Sequence, residues 1–227
     1  MRDGAYYREK LSANRLLRCY EIAPPRIKQY LHAEIGFVIS NLRSGDLVLE
    51  LGCGYGRAMR EVAEFASWIA GNDISTGSLG LARSYMEDCR NYALFLMDAS
   101  QISFRSCIFD VVFCIQNGIS AFRVNKERLI AESIRVAKDK GIVLFSSYSP
   151  RIWEARLEWF RKQSQLGLVG GIDEERTCDG TIVCKDGFRA TTLSKDEFSR
   201  LFAKFGLAAS LTEVDESSIF CKVIKEK

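Results

Sequence analysis

The residue types with the clearest chemistry lie in one short run, Leu49-Glu50-Leu51-Gly52-Cys53-Gly54-Tyr55-Gly56-Arg57. A β-rich segment leads into its glycines and a helical pattern follows them. Glycine lets a backbone turn sharply and approach a ligand closely, and the free N–H groups at the start of a helix favour an anion. The run therefore predicts a ligand-binding turn between a strand and a helix. The alternative is a tight turn without a ligand.

The spacing of these glycines indicates which kinds of ligand the turn can bind. A dinucleotide-binding turn has the pattern G-x-G-x-x-G, but Arg57 occupies the position of its third glycine, and the G-K-[ST] of a P-loop is absent. Glu50, just before the glycines, would repel a pyrophosphate. A ligand that carries both an ammonium and a carboxylate group fits this turn better. The methionine portion of S-adenosylmethionine is such a ligand.

The turn resembles the first motif of the class I S-adenosylmethionine-dependent methyltransferases, and the resemblance continues over residues 45–148. Asp73 is similar to the family's ligand of the ribose hydroxyls, and Asp98-Ala99 to its adenine-binding pair. The order of these residues matters because open α/β sheets bind ligands at the carboxyl ends of their strands. The resemblance implies S-adenosylmethionine as cofactor and S-adenosylhomocysteine as product. We expect no metal, because of the cysteine and histidine content of the chain. The implied cofactor-binding residues are Glu50, Gly52, Cys53, Gly54, Asp73, Ile74, Asp98, Ala99, Ile115 and Gln116.

The elements that must position these residues alternate between β-rich runs and helical patterns, which predicts parallel strands joined by crossover helices. A closing helix and two further strands follow. With the resemblance, this order predicts an α/β fold: a Rossmann-like, doubly wound, mostly parallel seven-stranded sheet with helices on both faces and a helical and hairpin cap. The predicted strands are 47–51, 68–73, 93–97, 110–115, 141–145, 208–214 and 218–224, and the predicted crossover helices are 56–66, 76–88 and 126–137.

The chain divides into four predicted parts. Residues 1–44 carry helical spacing and predict an N-terminal helical cap, and residues 45–149 form the S-adenosylmethionine-binding core. The segment 150–192 is longer than the loop usual in an α/β unit and predicts a substrate lid. Residues 193–227 supply the closing helix, introduced by a capping box at 194–197, and the terminal β-hairpin of the core.

The transfer chemistry does not single out a catalytic residue. Methyl transfer from a sulfonium needs alignment and exclusion of water rather than a dedicated acid or base, because the leaving thioether is neutral. Asn117 follows the fourth strand, where the transferred methyl group is expected to lie. We therefore leave the catalytic residue unassigned, with Asn117, Tyr148 and Tyr20 as candidates.

Substrate contacts are expected from the cap and the lid, which the common core lacks. Arg26, Tyr30, Trp153 and Arg189 are candidates for a pocket with aromatic walls and cationic anchors. This set favours a small anionic or aromatic acceptor and leaves oxygen, nitrogen, sulfur and carbon acceptors open. The alternative is that the aromatic residues form the core of the cap.

The composition of the chain argues against several other classes of protein. The chain has 227 residues, a net charge of +3 and eight scattered cysteines without a C-x-x-C pair, and its single histidine argues against a His-based metal site. Without a Lys/Arg cluster or the Asn/Asp-Pro-Pro-aromatic motif, nucleic acid is not the expected partner. No membrane span or secretory segment is recognisable, so we expect a cytoplasmic monomer or homodimer. The alternatives are an RNA or protein methyltransferase and a non-catalytic S-adenosylmethionine-binding protein.

Overall fold

The computed structural model describes Tyr6 and residues 9–226. Residues 1–5, 7, 8 and 227 lie outside the described residues, and so do the parts of the predicted cap and hairpin that fall on them. The helices are α1 (Ala13–Glu21), α2 (Pro25–Ser40), α3 (Arg57–Ala63), α4 (Thr76–Tyr85), α5 (Gly118–Ala121), α6 (Lys126–Val136), α7 (Trp153–Gln165, preceded by the 3-10 turn Pro150–Ile152) and α8 (Lys195–Ala203). The strands are β1 (Leu47–Leu51), β2 (Trp68–Asp73), β3 (Tyr92–Leu96), β4 (Phe109–Cys114), β5 (Ala137–Tyr148), β6 (Ile182–Val183), β7 (Arg189–Ala190), β8 (Ala209–Val214) and β9 (Ser218–Ile224).

Seven strands form one sheet in the order β3-β2-β1-β4-β5-β9-β8. Strands β1 to β5 are parallel, and β9 runs antiparallel to both β5 and β8. This architecture confirms the predicted Rossmann-like, mostly parallel seven-stranded fold. The chain runs from β1 outward to β3 on one side and then crosses to β4 on the other. A crevice therefore opens between the carboxyl ends of β1 and β4, where such sheets bind their ligands.

Alternate residues of the central strands face opposite sides of the sheet. Leu49 and Val112 share one apolar cluster with side chains of α6 and α8, whereas Val48 and Phe113 share another with α2 and α3. Burial of each such side chain stabilises the fold by about 1.5–3 kcal/mol. Helices therefore cover both faces, and the strand ends are held rigidly between them.

A third apolar cluster joins the N-terminal helices to the segment after β5. The Trp159 indole of α7 donates a hydrogen bond to the Cys19 carbonyl of α1 at 2.8 Å, and the Tyr6 hydroxyl donates to Asp186 at 2.6 Å. Strands β6 and β7 pair antiparallel and supply the hairpin that the predicted fold includes in its cap. These contacts hold the N-terminal helices and residues 150–192 together as one packed unit.

Strand β5 is longer than the predicted strand 141–145. Its extension pairs with β9 as far as Tyr148, which lies opposite Ser218. Local sequence does not show this extension because Ser146 and Ser147 are not typical strand residues, and the ladder that holds them comes from a distant segment. The extension places Tyr148 beyond the carboxyl end of the sheet.

Element ends differ from the prediction by a few residues elsewhere. Strands β3 and β4 begin one residue early, and the helix predicted over 56–66 ends at Ala63, because helical spacing continues into the turn that stops it. The capping box is confirmed, since the Ser194 hydroxyl accepts from the Glu197 N–H at 3.2 Å. The β8–β9 hairpin is confirmed as well. In the described part of the chain, no helix combines the length and the apolar composition needed to cross a membrane.

Candidate active site

A cavity of about 220 Å³ lies at the crevice beyond β1 and β4. One side of it is formed by the strand ends and the loops that follow them, and we call this side the strand-end half. All ten residues that the sequence resemblance implied for cofactor binding line it: Glu50, Gly52, Cys53, Gly54, Asp73, Ile74, Asp98, Ala99, Ile115 and Gln116.

The glycine turn after β1 brings its backbone close to the cavity. Gly52, Gly54 and Gly56 have φ angles of 71°, 55° and 86°, in the left-handed region that favours glycine. A Cβ atom added at Gly52 would lie 2.2 Å from the Phe122 ring, so a larger residue would fit there only if this ring moved. The turn is fixed to the next strand because the Gly54 N–H donates to Asp73 Oδ2 at 3.0 Å.

Two carboxylates at the ends of β2 and β3 are oriented by their own following turns. Asp73 Oδ1 accepts from the Ser75 N–H at 2.8 Å, and burial raises the pKa of Asp73 against the opposing effect of these backbone donors. Asp98 Oδ1 accepts from both the N–H and the hydroxyl of Ser100 at 2.7 Å. Both carboxylates are thus held in place as acceptors at the cavity wall.

Glu50 and Arg57 present opposite charges to the cavity. Glu50 Oε2 and the Arg57 Nε and Nη2 atoms are buried without a hydrogen-bond partner among the described residues. Burial raises the pKa of Glu50 to about 8, although the Arg57 charge opposes that rise. Unpartnered buried polar atoms are costly unless a ligand satisfies them. An ammonium group would satisfy the acceptor, and a carboxylate would satisfy the donors.

The opposite side of the cavity, which we call the cap half, comes from α1, α7 and the end of β5. The Tyr20 ring centroid lies 5.9 Å from that of Tyr55 and 5.8 Å from that of Trp159. The Tyr20 hydroxyl also donates to the side chain of Gln116, which ties the two halves together. The cap half consists of Leu11, Leu16, Cys19, Tyr20, Tyr148, Trp159, Phe160 and Gln163.

Glu34 was not predicted from the sequence. It is fully buried on α2, where its Oε2 accepts from the Gln116 N–H at 2.9 Å and its other oxygen has no partner among the described residues. Burial raises the pKa of Glu34 to about 7, although Ser146, Tyr30 and the Gln116 N–H each act to lower it. The signal was present in the sequence, because Glu34 interrupts the apolar face of α2 at helical spacing.

The three catalytic candidates occupy different positions. Tyr20 and Tyr148 line the cavity. Asn117 does not line it: its amide donates to the Thr191 carbonyl at 2.7 Å and accepts from the Ser147 hydroxyl at 2.8 Å. Both ends of this side chain are therefore used to join β5 to the segment after β7.

None of the four substrate candidates lines the cavity. Arg26 forms an ion pair with Asp215 at 2.6 Å. Tyr30 is fully buried, with its ring centroid 5.1 Å from that of Tyr148. Trp153 packs at the edge of the third cluster, and Arg189 is exposed on β7.

Other residues of α7 line the cavity. Trp159, Phe160 and Gln163 are buried against the cavity. Their spacing of one and three residues puts them on one face of the helix, whereas Trp153 lies at its start. The cavity therefore has aromatic walls on this side, and neither Arg26 nor Arg189 lines it.

Comparison with known proteins agrees with this geometry. A family model described as a methyltransferase domain matches residues 48–141, the part that carries β1 to the start of β5. No curated protein matches the chain. Among solved structures, the chain is similar to a protein from Pyrococcus horikoshii, with 20% identity, a TM-score of 0.67 and coverage of 98% of this chain and 99% of that one.

Two further similar structures are of proteins whose names state a function. One is a SAM-dependent methyltransferase from Methanosarcina mazei, with 18% identity, a TM-score of 0.62 and coverage of 84% of this chain and 97% of that one. The other is the N-methyltransferase NodS from Bradyrhizobium japonicum in complex with S-adenosylhomocysteine, with 13% identity, a TM-score of 0.65 and coverage of 100% of both chains. At these identities the likeness concerns the fold. The match over residues 48–141 shows a methyltransferase domain in this part of the chain, and the shared fold agrees with the resemblance to the class I S-adenosylmethionine-dependent methyltransferases.

Proposed function

We propose that this enzyme transfers a methyl group from S-adenosylmethionine to a small molecule held in the cap half of the cavity. The observation that carries the proposal is that the cavity continues from the strand ends into a compartment walled by side chains of α1 and α7. A nucleic acid or protein acceptor would need an open surface, and nucleic acid would need concentrated cations beside it. Arg57 is the sole Lys or Arg among the cavity-lining residues that the structure describes, and it lies in the strand-end half.

The polar atoms of the strand-end half fit the cofactor. Glu50 would accept from its ammonium group, and the unpartnered nitrogens of Arg57 would donate to its carboxylate. Asp73 would accept from the ribose hydroxyls, while Asp98 and the Ala99 N–H would bind the adenine. Ile74, Ile115 and Gln116 would flank the adenosine, and the glycine turn leaves room for it. When bound, the cofactor supplies an electrophilic methyl group on a positively charged sulfur.

The cap half would orient the acceptor and keep water away. Trp159 is fixed by its hydrogen bond to the Cys19 carbonyl, and Tyr20 by its bond to Gln116. Rigid walls of this kind favour a displacement reaction because they hold the nucleophile in line, which lowers the barrier without a dedicated base. Asn117 would act indirectly by holding the Thr191 backbone against β5.

Transfer of labelled methyl groups tests the acceptor class. The protein is incubated with methyl-labelled S-adenosylmethionine and, separately, with the small-molecule, RNA and protein fractions of a cell extract. We expect label in the small-molecule fraction with the intact protein, and less label with Asp73→Ala at a cofactor concentration that does not saturate the variant. Label confined to RNA or to protein would contradict the proposal.

A further inference from the structure

Gln163 is a buried polar side chain that the described structure leaves unused. It lies on α7 with 2% of its surface exposed, and it lines the cavity beside Trp159 and Phe160. Its backbone carbonyl accepts from the Leu168 N–H at 2.9 Å, but its carboxamide has no hydrogen-bond partner among the described residues. A buried amide in apolar surroundings is normally paired. A ligand in the cavity is the partner that this position offers.

The surroundings of Gln163 restrict the charge of that ligand. Among its described residues, the cap half contains no Asp, Glu, Lys or Arg side chain. Behind this half, the buried Arg156 donates to the Gly180 and Ala190 carbonyls and stacks 4.2 Å from the Tyr148 ring centroid. Arg57 also lies against the compartment, 5.3 Å from the Tyr20 ring centroid. The two positive charges disfavour an ammonium group, and an anion would have to compete with the cofactor carboxylate for Arg57. An uncharged ligand fits best.

The walls of the cap half also restrict the shape of the ligand that Gln163 would bind. Trp159 and Phe160 present aromatic surfaces, and Leu11 and Leu16 close the compartment from the cap. Aromatic side chains prefer stacked or edge-to-face partners. A carboxamide both donates and accepts, so its natural partner is a group that does the same, such as a hydroxyl.

We propose that the Gln163 carboxamide selects the methyl acceptor, and that the acceptor is an uncharged aromatic molecule with a hydroxyl group bound by Gln163. This inference rests on the proposed function for its reaction, but it concerns recognition and is tested by binding. Gln163 is a specificity-determining residue in this account. It takes no proton and forms no covalent bond.

The test measures binding to the protein saturated with S-adenosylhomocysteine, which needs no turnover. Titration calorimetry uses a panel of uncharged hydroxyaryl compounds, their analogues without the hydroxyl, and analogues in which a carboxylate replaces it. Gln163→Leu keeps a similar volume and removes both polar atoms. Gln165→Leu, at an exposed position of the same helix, is the matched control. Affinity for S-adenosylhomocysteine in each variant reports whether the fold and the cofactor site are intact.

We expect a subset of the hydroxyaryl compounds to bind the intact protein and Gln165→Leu equally, and Gln163→Leu about 10- to 100-fold more weakly. The analogues without the hydroxyl should bind the intact protein and Gln163→Leu alike. Equal binding of a hydroxyaryl compound to all three proteins would overturn the role of Gln163. Failure of every hydroxyaryl compound to bind, or preference for the carboxylates, would overturn the assigned acceptor class. If hydroxyaryl binding depends on Gln163 but no methyl transfer occurs, recognition stands and the proposed reaction fails.

Discussion

The two halves of the cavity are built in different ways. In the strand-end half, the carboxylates of Asp73 and Asp98 are fixed by backbone donors one or two residues away or in the neighbouring loop. In the cap half, apolar side chains from α1 and α7 meet although they are far apart in the sequence, and one carboxamide has no hydrogen-bond partner among the described residues. Local turns are thus sufficient to position groups for a charged ligand, whereas the compartment proposed for the acceptor depends on tertiary packing. Substitutions in the first half should affect cofactor affinity, and substitutions in the second should affect acceptor binding.

The largest expected effect is that of Gly52→Ala. The added Cβ would collide with the Phe122 ring at 2.2 Å in a backbone conformation that favours glycine. We expect S-adenosylhomocysteine affinity to fall at least about 100-fold, since strain and collision together exceed about 3 kcal/mol. Gly45→Ala is the matched control, because Gly45 also has a positive φ but nothing lies within 4 Å of its added Cβ. Comparable affinity losses in both variants would show that strain alone, not the cavity, explains the effect.

A second prediction concerns Asp73→Ala. The substitution removes the proposed ribose acceptor and the anchor of the Gly54 N–H, so cofactor binding should weaken by about 1–3 kcal/mol. Calorimetry with S-adenosylhomocysteine measures the change. Asp88→Ala serves as the control because Asp88 is exposed and pairs with Arg60 away from the cavity. An unchanged dissociation constant in folded Asp73→Ala would place the cofactor elsewhere.

A third prediction uses the protonation of Glu50. Its pKa is raised to about 8 in the free protein, so the carboxyl is mostly protonated at pH 7. A bound ammonium group favours the carboxylate and lowers this pKa, so cofactor binding at pH 7 should release close to one proton. Affinity should rise with pH between about 6 and 7.5, by up to about tenfold per unit.

Calorimetry in buffers of different ionisation enthalpy counts the released protons. Glu50→Gln should abolish the release, and Glu34→Gln should leave it in place because Glu34 does not line the cavity. Proton uptake, or no proton exchange in the intact protein, would contradict the role given to Glu50.

The smallest expected effect is that of Trp159→Phe. This change keeps an aromatic ring in the cap half but removes the donor to the Cys19 carbonyl. The free energy of unfolding should fall by about 1–2 kcal/mol, because a buried carbonyl loses its partner. KM for the acceptor should rise several-fold while S-adenosylhomocysteine affinity stays within about twofold. A large loss of cofactor affinity would mean that the two halves are not separable.

The contrast between local turns and tertiary packing also explains which site residues could be predicted from the sequence. The glycine turn, Asp73 and Asp98 each follow a strand directly, so their place at the sheet edge follows from strand order alone, and all ten implied residues line the cavity. Arg26 and Arg189 were chosen by residue type, but an arginine binds whichever carboxylate or carbonyl packing brings near, and Arg26 pairs with Asp215. The roles of Gln163 and Glu34 depend on what surrounds them, which a single sequence does not specify.

The central claim is that one cavity binds the cofactor at the strand ends and the acceptor beneath α1 and α7. A crystal structure with S-adenosylhomocysteine tests it most directly. We predict the ribose hydroxyls on Asp73, the adenine beside Asp98 and Ala99, and the amino-acid portion between Glu50 and Arg57. The sulfur should then face the compartment that contains Tyr148, Trp159 and Gln163. A ligand bound outside this cavity, or a sulfur directed away from the compartment, would contradict the account.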